Sequence, residues 1–309
     1  MRPYSANEIR GTYATLLLPI QPDDSIDFGL LRAELEYFID AKVDGVYSNG
    51  TAGEFYTESE GEFVQVNQLL AEMCERARLP FQVGASFPTA QLSLQRIRRA
   101  VEFRPSAIQV VLPDWWPPTV DEALNFLERA AEEAGEVPLI LYNPPHVKRV
   151  FTPKEFAIMC ERIPAVVGIK TAAGGDDWYS AMQPLMQRLS VFVPGNNLAT
   201  GVSKGASGAY SNVACLQPRG AVRWNRLMET DLDEALRQEK QIQHFMTEAI
   251  LPFREKRGRS NMALDKILAW TGNWLEMPTR LRWPYIGITP DEASGLRERA
   301  RHEMPFLFE

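Results

Sequence analysis

The sequence predicts an α/β fold: a closed parallel (β/α)8 barrel (a TIM barrel) followed by a C-terminal helical extension. Three observations carry this. Short apolar, β-branched runs recur eight times through the first two-thirds of the chain. Segments of helical periodicity fill the intervals between them, which is the alternation of a parallel sheet. Several runs end in polar or small residues, as at Asn49–Glu54, Tyr142–His146 and Lys170, and in a barrel the strand C-termini are where ligands bind.

The elements follow in order. Residues 11–18 form a first strand closed by Pro19, and 27–40 carry Leu30, Leu31, Leu35 and Phe38 at helical spacing. Residues 44–48 are the second strand, followed by the loop Asn49-Gly50-Thr51-Ala52-Gly53-Glu54. Thr57 with Glu60 reads as a capping box opening a helix over 58–77. Strand 81–85, helix 91–103 and strand 107–112 come next. The last ends at Pro113-Asp114-Trp115-Trp116-Pro117-Pro118. Thr119 with Glu122 caps a helix to about 134, and 138–142 is the fifth strand. Thr152-Pro153-Lys154-Glu155 joins a capping box to proline at the first helical position.

The sixth strand is Val166-Val167-Gly168-Ile169-Lys170, and its helix spans 176–188, with Pro184 predicting a shortened or kinked end. Strand 191–193, a short helix to 204, strand 208–212 and helix 218–231 complete the barrel over residues 1–231. Residues 232–309 read as helices packed on it, over 236–253, 261–270 and after a Thr289–Glu292 cap.

Composition narrows the function. A 45% apolar and 10% aromatic content over 309 residues supplies a large core. The net charge of −7 argues against a nucleic-acid or acidic-membrane partner. Residues 1–8 hold no apolar segment of a secretory signal, and no stretch has the apolar length of a membrane span. Cys74, Cys160 and Cys215 are odd in number and far apart, as reduced buried thiols in a cytoplasm would be. Three histidines without metal-ligand spacing leave no metal site to propose.

Lys170 is the most informative residue. A strand buried on both faces has no place along its length for an unpaired cation, so a lysine at its end either points into a cleft or pairs with a carboxylate there. An ordinary lysine, with a pKa near ~10.4, is almost wholly protonated at pH 7. Desolvation at an apolar barrel mouth frees a neutral amine, which attacks carbonyls to form a Schiff base. Such chemistry needs a proton shuttle that is uncharged at rest. The phenol of Tyr142, ending the adjacent strand at comparable depth, meets that need.

Gly50 and Gly53 flank small residues whose amides can converge on a substrate carboxylate, with the Thr51 hydroxyl as a further donor or proton relay. Glu54 reads as the anchor of that loop. Gly195 and Tyr210 end later strands and join the same mouth.

These pieces resemble the dihydrodipicolinate synthase and N-acetylneuraminate lyase superfamily. The matching motifs are G-T-x-G-E at Gly50–Glu54, Y-N-x-P at Tyr142–Pro145 and G-I-K at Gly168–Lys170. The resemblance runs from about Thr12 to Gln217, through Val193-Pro194-Gly195-Asn196 and Gly208-Ala209-Tyr210-Ser211. It implies Lys170 as the imine-forming lysine, Tyr142 as the proton-transferring phenol, and Thr51 with the Ala52 amide as the carboxylate site. It also implies pyruvate or another 2-oxo acid as substrate, no cofactor beyond the covalent imine, and a homotetramer built from dimers, or a homodimer.

There are departures. Ala52 stands where the synthases carry a second threonine, and Trp115 where they place a tyrosine supplied across a dimer contact. Val147, between His146 and Lys148, holds the spacing of an arginine that binds the second substrate's carboxylate. Trp115 can stack on substrate or plug a dimer contact. His146 can bind a sugar hydroxyl, handle water, or simply face solvent.

The leading expectation is therefore a cytoplasmic Schiff-base aldolase or dehydratase acting on a 2-oxo acid such as a 2-keto-3-deoxy sugar acid. One alternative is dihydrodipicolinate synthesis with a rebuilt second-substrate pocket. Another is a 2-oxo-acid binding protein without turnover.

Overall fold

The apolar runs form strands because each buries both faces, one into the barrel and one against helices, which removes any polar alternation. The computed structural model describes residues 1–309. Its strands are β1 (Gly11–Thr15), β2 (Gly45–Ser48), β3 (Phe81–Gly84), β4 (Ala107–Val111), β5 (Leu139–Asn143), β6 (Val166–Thr171), β7 (Ser190–Pro194) and β8 (Gly208–Tyr210). Each pairs in parallel with its sequence neighbours, and β8 pairs with β1 to close the barrel.

Six helices connect the first seven strands: α1 (Phe28–Ala41), α2 (Glu60–Ala77), α3 (Ala90–Glu102), α4 (Val120–Ala134), α5 (Pro153–Arg162) and α6 (Asp176–Met186). A 3-10 turn (Gly195–Asn197) and α7 (Leu198–Ser203) lead to β8, and α8 (Asn212–Leu216) and α9 (Pro218–Thr230) follow it. The extension comprises α10 (Leu232–Phe245), a π turn (Met246–Ile250), α11 (Leu251–Glu255), α12 (Asn261–Gly272) and α13 (Leu296–Glu303).

Local signals set most helix starts. Asp27 caps α1 by accepting from the Leu30 amide at 2.9 Å, and the Thr119–Glu122 and Thr152–Glu155 boxes form reciprocally. Other expectations are corrected. The box opening α2 is Ser59 with Glu62, not Thr57 with Glu60. Glu60 pairs with the buried Arg96 at 2.9 Å, and Thr57 turns back to the Glu54 carbonyl. Thr289 and Glu292 bond each other, but the chain continues in turns until Gly295 at φ 81, and α13 starts only at Leu296. Strand β8 stops at Tyr210 because Ser211 caps α8. Helix α6 runs through Pro184 and ends at Met186.

Two hydrophobic regions result. A small cluster inside the barrel includes Tyr13, Tyr47, Phe192 and Tyr210, with the Tyr47 and Tyr210 rings 4.6 Å apart. A far larger one lies between strands and helices and takes in Ile242 and Phe245 of α10 and Ile267 and Leu268 of α12. The extension thus shares the barrel's outer core. No helix is long and apolar enough to cross a membrane.

Candidate active site

Lys170 and Tyr142 sit opposite each other in the register of β5 and β6. The Lys170 amine donates to the Tyr47 hydroxyl at 2.7 Å. It also lies 4.0, 4.5 and 4.8 Å from the ring centres of Tyr142, Tyr47 and Tyr210. Three phenol rings therefore take the place of water around it. Burial is the first cause that pulls Lys170 down to about 7, with the Asp265 carboxylate and the Cys215 thiol pushing it back up. The shift leaves a far larger neutral fraction at pH 7 than an ordinary lysine has.

The Tyr142 hydroxyl lies 3.4 Å from Thr51 Oγ1, and burial pushes the phenol up to about 12, so it stays protonated at neutral pH. Thr51 and Ala52 lie in the loop after β2, and their amide N–H groups make no hydrogen bond within the protein. Free amides beside a hydroxyl suit an oxyanion. The turn that exposes them begins at Asn49, held at φ 54 by bonds to Glu58 (2.5 Å) and Asn67 (2.8 Å). Asparagine tolerates this left-handed conformation better than most residues. Gly50, expected to contact substrate, does not line the cavity that holds Lys170. A Cβ there would lie 2.3 Å from the Tyr47 ring, so this glycine makes room for the phenol that meets Lys170.

Together these groups wall a cavity of about 360 Å³ at the strand C-termini. Nine of its 24 lining residues lie beyond residue 231, so the barrel alone does not close the site. The π turn and α11 present Met246, Ile250 and Arg254, spaced four apart, and α12 presents Asn261, Leu264, Asp265 and Leu268. A π turn widens the helix and re-aims the side chains after it.

Asp265 is the largest departure from the sequence reading. Burial in the cavity raises its carboxyl to about 7, against the pull of Lys170. The charge of each group therefore shifts the protonation of the other. A carboxylate inside the otherwise apolar run Met262-Ala263-Leu264-Asp265, at i+4 from Asn261, was the one signal available. Tyr47, Asn261 and Arg254 were also missed.

Glu54 anchors its loop, as expected, but with two partners. It accepts the Arg282 amide at 3.0 Å and pairs with Lys266 of α12 at 2.6 Å. Tyr210 lines the cavity and donates to Gln82 at 2.5 Å. Gly195 does not line it. A Cβ there would fall 2.5 Å from Ser211 Oγ, and its neighbours Pro194 and Asn196 face the cavity instead.

His146, Trp115 and Val147 wall a second, adjoining cavity of about 640 Å³. Desolvation lowers His146, Asp114 opposing and Lys170 adding to the shift. Trp115 is 84% exposed, with the Lys148 ammonium 4.7 Å from its ring centre and bonded to its carbonyl.

The chain is similar to known proteins in sequence and in fold. The 4-hydroxy-tetrahydrodipicolinate synthase of Thermomicrobium roseum is 28% identical over 212 residues, 68% of this chain and 69% of that one. The chloride-inhibited dihydrodipicolinate synthase of Acinetobacter baumannii, solved with pyruvate, superposes with a TM-score of 0.84 at 23% identity, covering 96% of this chain and 99% of that one. A catalytic-lysine mutant of the Ruminococcus gnavus sialic acid aldolase superposes at 0.82 with 18% identity, covering 99% and 98%. At these identities the structures establish the shared barrel. The model of the dihydrodipicolinate synthetase family matches residues 8–293, nearly the whole chain, and the protein therefore belongs to that family.

Proposed function

We propose that the chain is a class I lyase that works through a Schiff base at Lys170 on pyruvate or a longer 2-oxo acid. One geometric fact carries the proposal. A lysine amine ringed by three phenols shares a cavity with a phenol–hydroxyl pair and two free amides. The neutral amine attacks C2 of the 2-oxo acid, a proton is taken up and water leaves, giving an iminium; the final hydrolysis returns that proton. The Thr51 hydroxyl and the Thr51 and Ala52 amides hold the carboxylate.

In the cleavage direction the C3–C4 bond breaks and its electrons enter the iminium as an enamine. The proton of the C4 hydroxyl leaves through Tyr142 and Thr51 as the aldehyde forms. Protonation at C3 and hydrolysis then release pyruvate and the amine. The imine is itself the electron sink, so the scheme needs no metal or organic cofactor.

The second cavity offers space for the part of the substrate beyond C4, such as the tail of a 2-keto-3-deoxy sugar acid. Running the steps backwards joins pyruvate to an aldehyde. The T. roseum relative, named as a synthase, favours that direction as the second reading. The same proposal carries a soluble homodimer or homotetramer, which sedimentation measures.

Borohydride reduction with pyruvate, read by peptide mass spectrometry, tests the central step. A reduced pyruvyl adduct on Lys170 is expected in the wild type, with none in a folded Lys170→Ala variant and turnover lost. An adduct elsewhere, or wild-type-like turnover in that variant, overturns the proposal.

A further inference from the structure

The proposed cycle moves protons at two places, and the residues assigned above serve one of them. Tyr142 and Thr51 carry the proton of the C4 hydroxyl. C3 of the enamine must also gain a proton, and it must lose one when the cycle runs towards joining. The group responsible has to give and take a proton at neutral pH while facing a substrate held on Lys170.

One side chain in the cavity has that character. Asp265 is the only carboxylate among the residues that line it. It is half-buried, and no hydrogen bond or ion pair of the protein engages it; burial first, and then the Lys170 charge, set its protonation. The next residue of α12, Lys266, turns away to Glu54 at 2.6 Å. Asn261 and Leu268, on the same face of α12 as Asp265, line the same cavity, so that face lies over the strand ends. Burial raises the Tyr47 and Tyr142 phenols, and the Asp265 charge adds to both shifts, so the carboxyl acts on the groups around the amine. Those phenols, with Tyr210 and the Cys215 thiol, are all raised by burial and keep their protons at neutral pH. A phenol beside Thr51 passes a proton along, but it holds no base ready.

We propose that Asp265 is the acid–base residue at C3 of the substrate held on Lys170. In the iminium its carboxylate takes a C3 proton. The C–H electron pair becomes the C2–C3 double bond, and the C2–N π pair returns to nitrogen, giving the enamine. After cleavage the protonated carboxyl gives its proton to C3, the pairs move back to restore the iminium, and solvent reprotonates the carboxylate. This rests on the Schiff-base reading and adds to it a catalytic group supplied by the extension instead of the barrel.

Pyruvate alone tests the proposal, because its methyl carbon is C3. In deuterium oxide, above the pH of about 7 at which Lys170 loses its proton, wild type is expected to exchange the methyl hydrogens, read by proton NMR. Borohydride trapping in the same samples measures the imine. Asp265→Asn should trap as much pyruvate on Lys170 as wild type while exchanging at least about 100-fold more slowly. Asp265→Ala should behave alike and regain exchange when formate supplies the missing carboxylate. Unchanged exchange per trapped imine in Asp265→Asn overturns the proposal, as does Asp265→Ala that traps pyruvate but gains nothing from formate. A folded Asp265→Asn variant that loses trapping and exchange together overturns it too, because that result places the residue behind Lys170 and not at C3. Wild type that forms the adduct without exchange defeats this proposal alone, whereas no adduct on Lys170 defeats the Schiff-base reading itself.

Discussion

Two lysine–carboxylate pairs, one fully buried and one half-buried, meet on one helix, and they behave oppositely. Asp265 and Lys266 are adjacent in α12. Lys266 contacts Glu54 at 2.6 Å with both side chains fully buried, and it also donates to the Arg280 carbonyl at 2.6 Å. Asp265 faces the cavity with Lys170 but forms no direct ion pair with it; the lysine bonds to Tyr47 instead. Burial pulls Lys266 down too, but Glu54 at contact distance pushes it back up by charge and hydrogen bond. Lys170 has only a more distant charge to offset its desolvation, and it falls to about 7. The first pair ties the loop after β2 to the extension. The second leaves an amine and a carboxyl in one cavity, each shifting the protonation of the other. The two lysines differ in contact with a counter-ion, which Lys266 has and Lys170 lacks, and in burial, which is complete only at Lys266.

The largest expected effect falls on the structural pair. Lys266→Met strands the Glu54 carboxylate, so urea unfolding should show a loss of about 3–5 kcal/mol, with Glu54→Leu in the same chain recovering part of it. Lys170→Met should cost far less stability while eliminating the borohydride-trapped adduct. A similar stability loss in both variants would break the distinction between the pairs.

Next comes the pH dependence. Imine formation needs neutral Lys170, so the trapping rate with pyruvate should rise with pH through about 7, falling roughly tenfold per unit well below it. Asp265 raises the Lys170 pKa, so Asp265→Asn should move this limb to lower pH. A limb that stays in place would mean the carboxyl does not act on the amine. The smallest effect is expected for Tyr47→Phe, which removes the 2.7 Å hydrogen bond but keeps the ring. A slowing of trapping by about tenfold fits the loss of one such bond, around 1.4 kcal/mol. No change would leave the ring cage alone responsible for the lysine's state.

These experiments probe residues that differed in how far the chain disclosed them. Lys170 and Tyr142 were legible because strand ends carry polar residues that strand interiors exclude, and the two strands are neighbours in sequence. Thr51 and Ala52 were legible as a glycine-flanked turn. Tyr47 was not, because a strand buried on both faces shows no alternation to say which side chains point inward. Thr57–Glu60 and Ser59–Glu62 were equivalent as local capping signals. Arg96 and Arg282, distant in sequence, drew Glu60 and Glu62 into their final roles.

The sequence by itself determined the alternation of strands and helices, the order of the barrel and the residues at its mouth. All of these follow from local periodicity, caps and the cost of burying charge in a strand. Tertiary structure alone decided what lies over that mouth. Asp265, Asn261 and Arg254 come within reach of Lys170 only because the extension folds back onto the strand ends, more than 80 residues further along the chain. It also decided which of two adjacent charges in α12 would be neutralised at contact and which would face the cavity. The reason is physical. Periodicity reports which face of a helix is buried, whereas the group waiting on the other side is supplied by packing between distant segments.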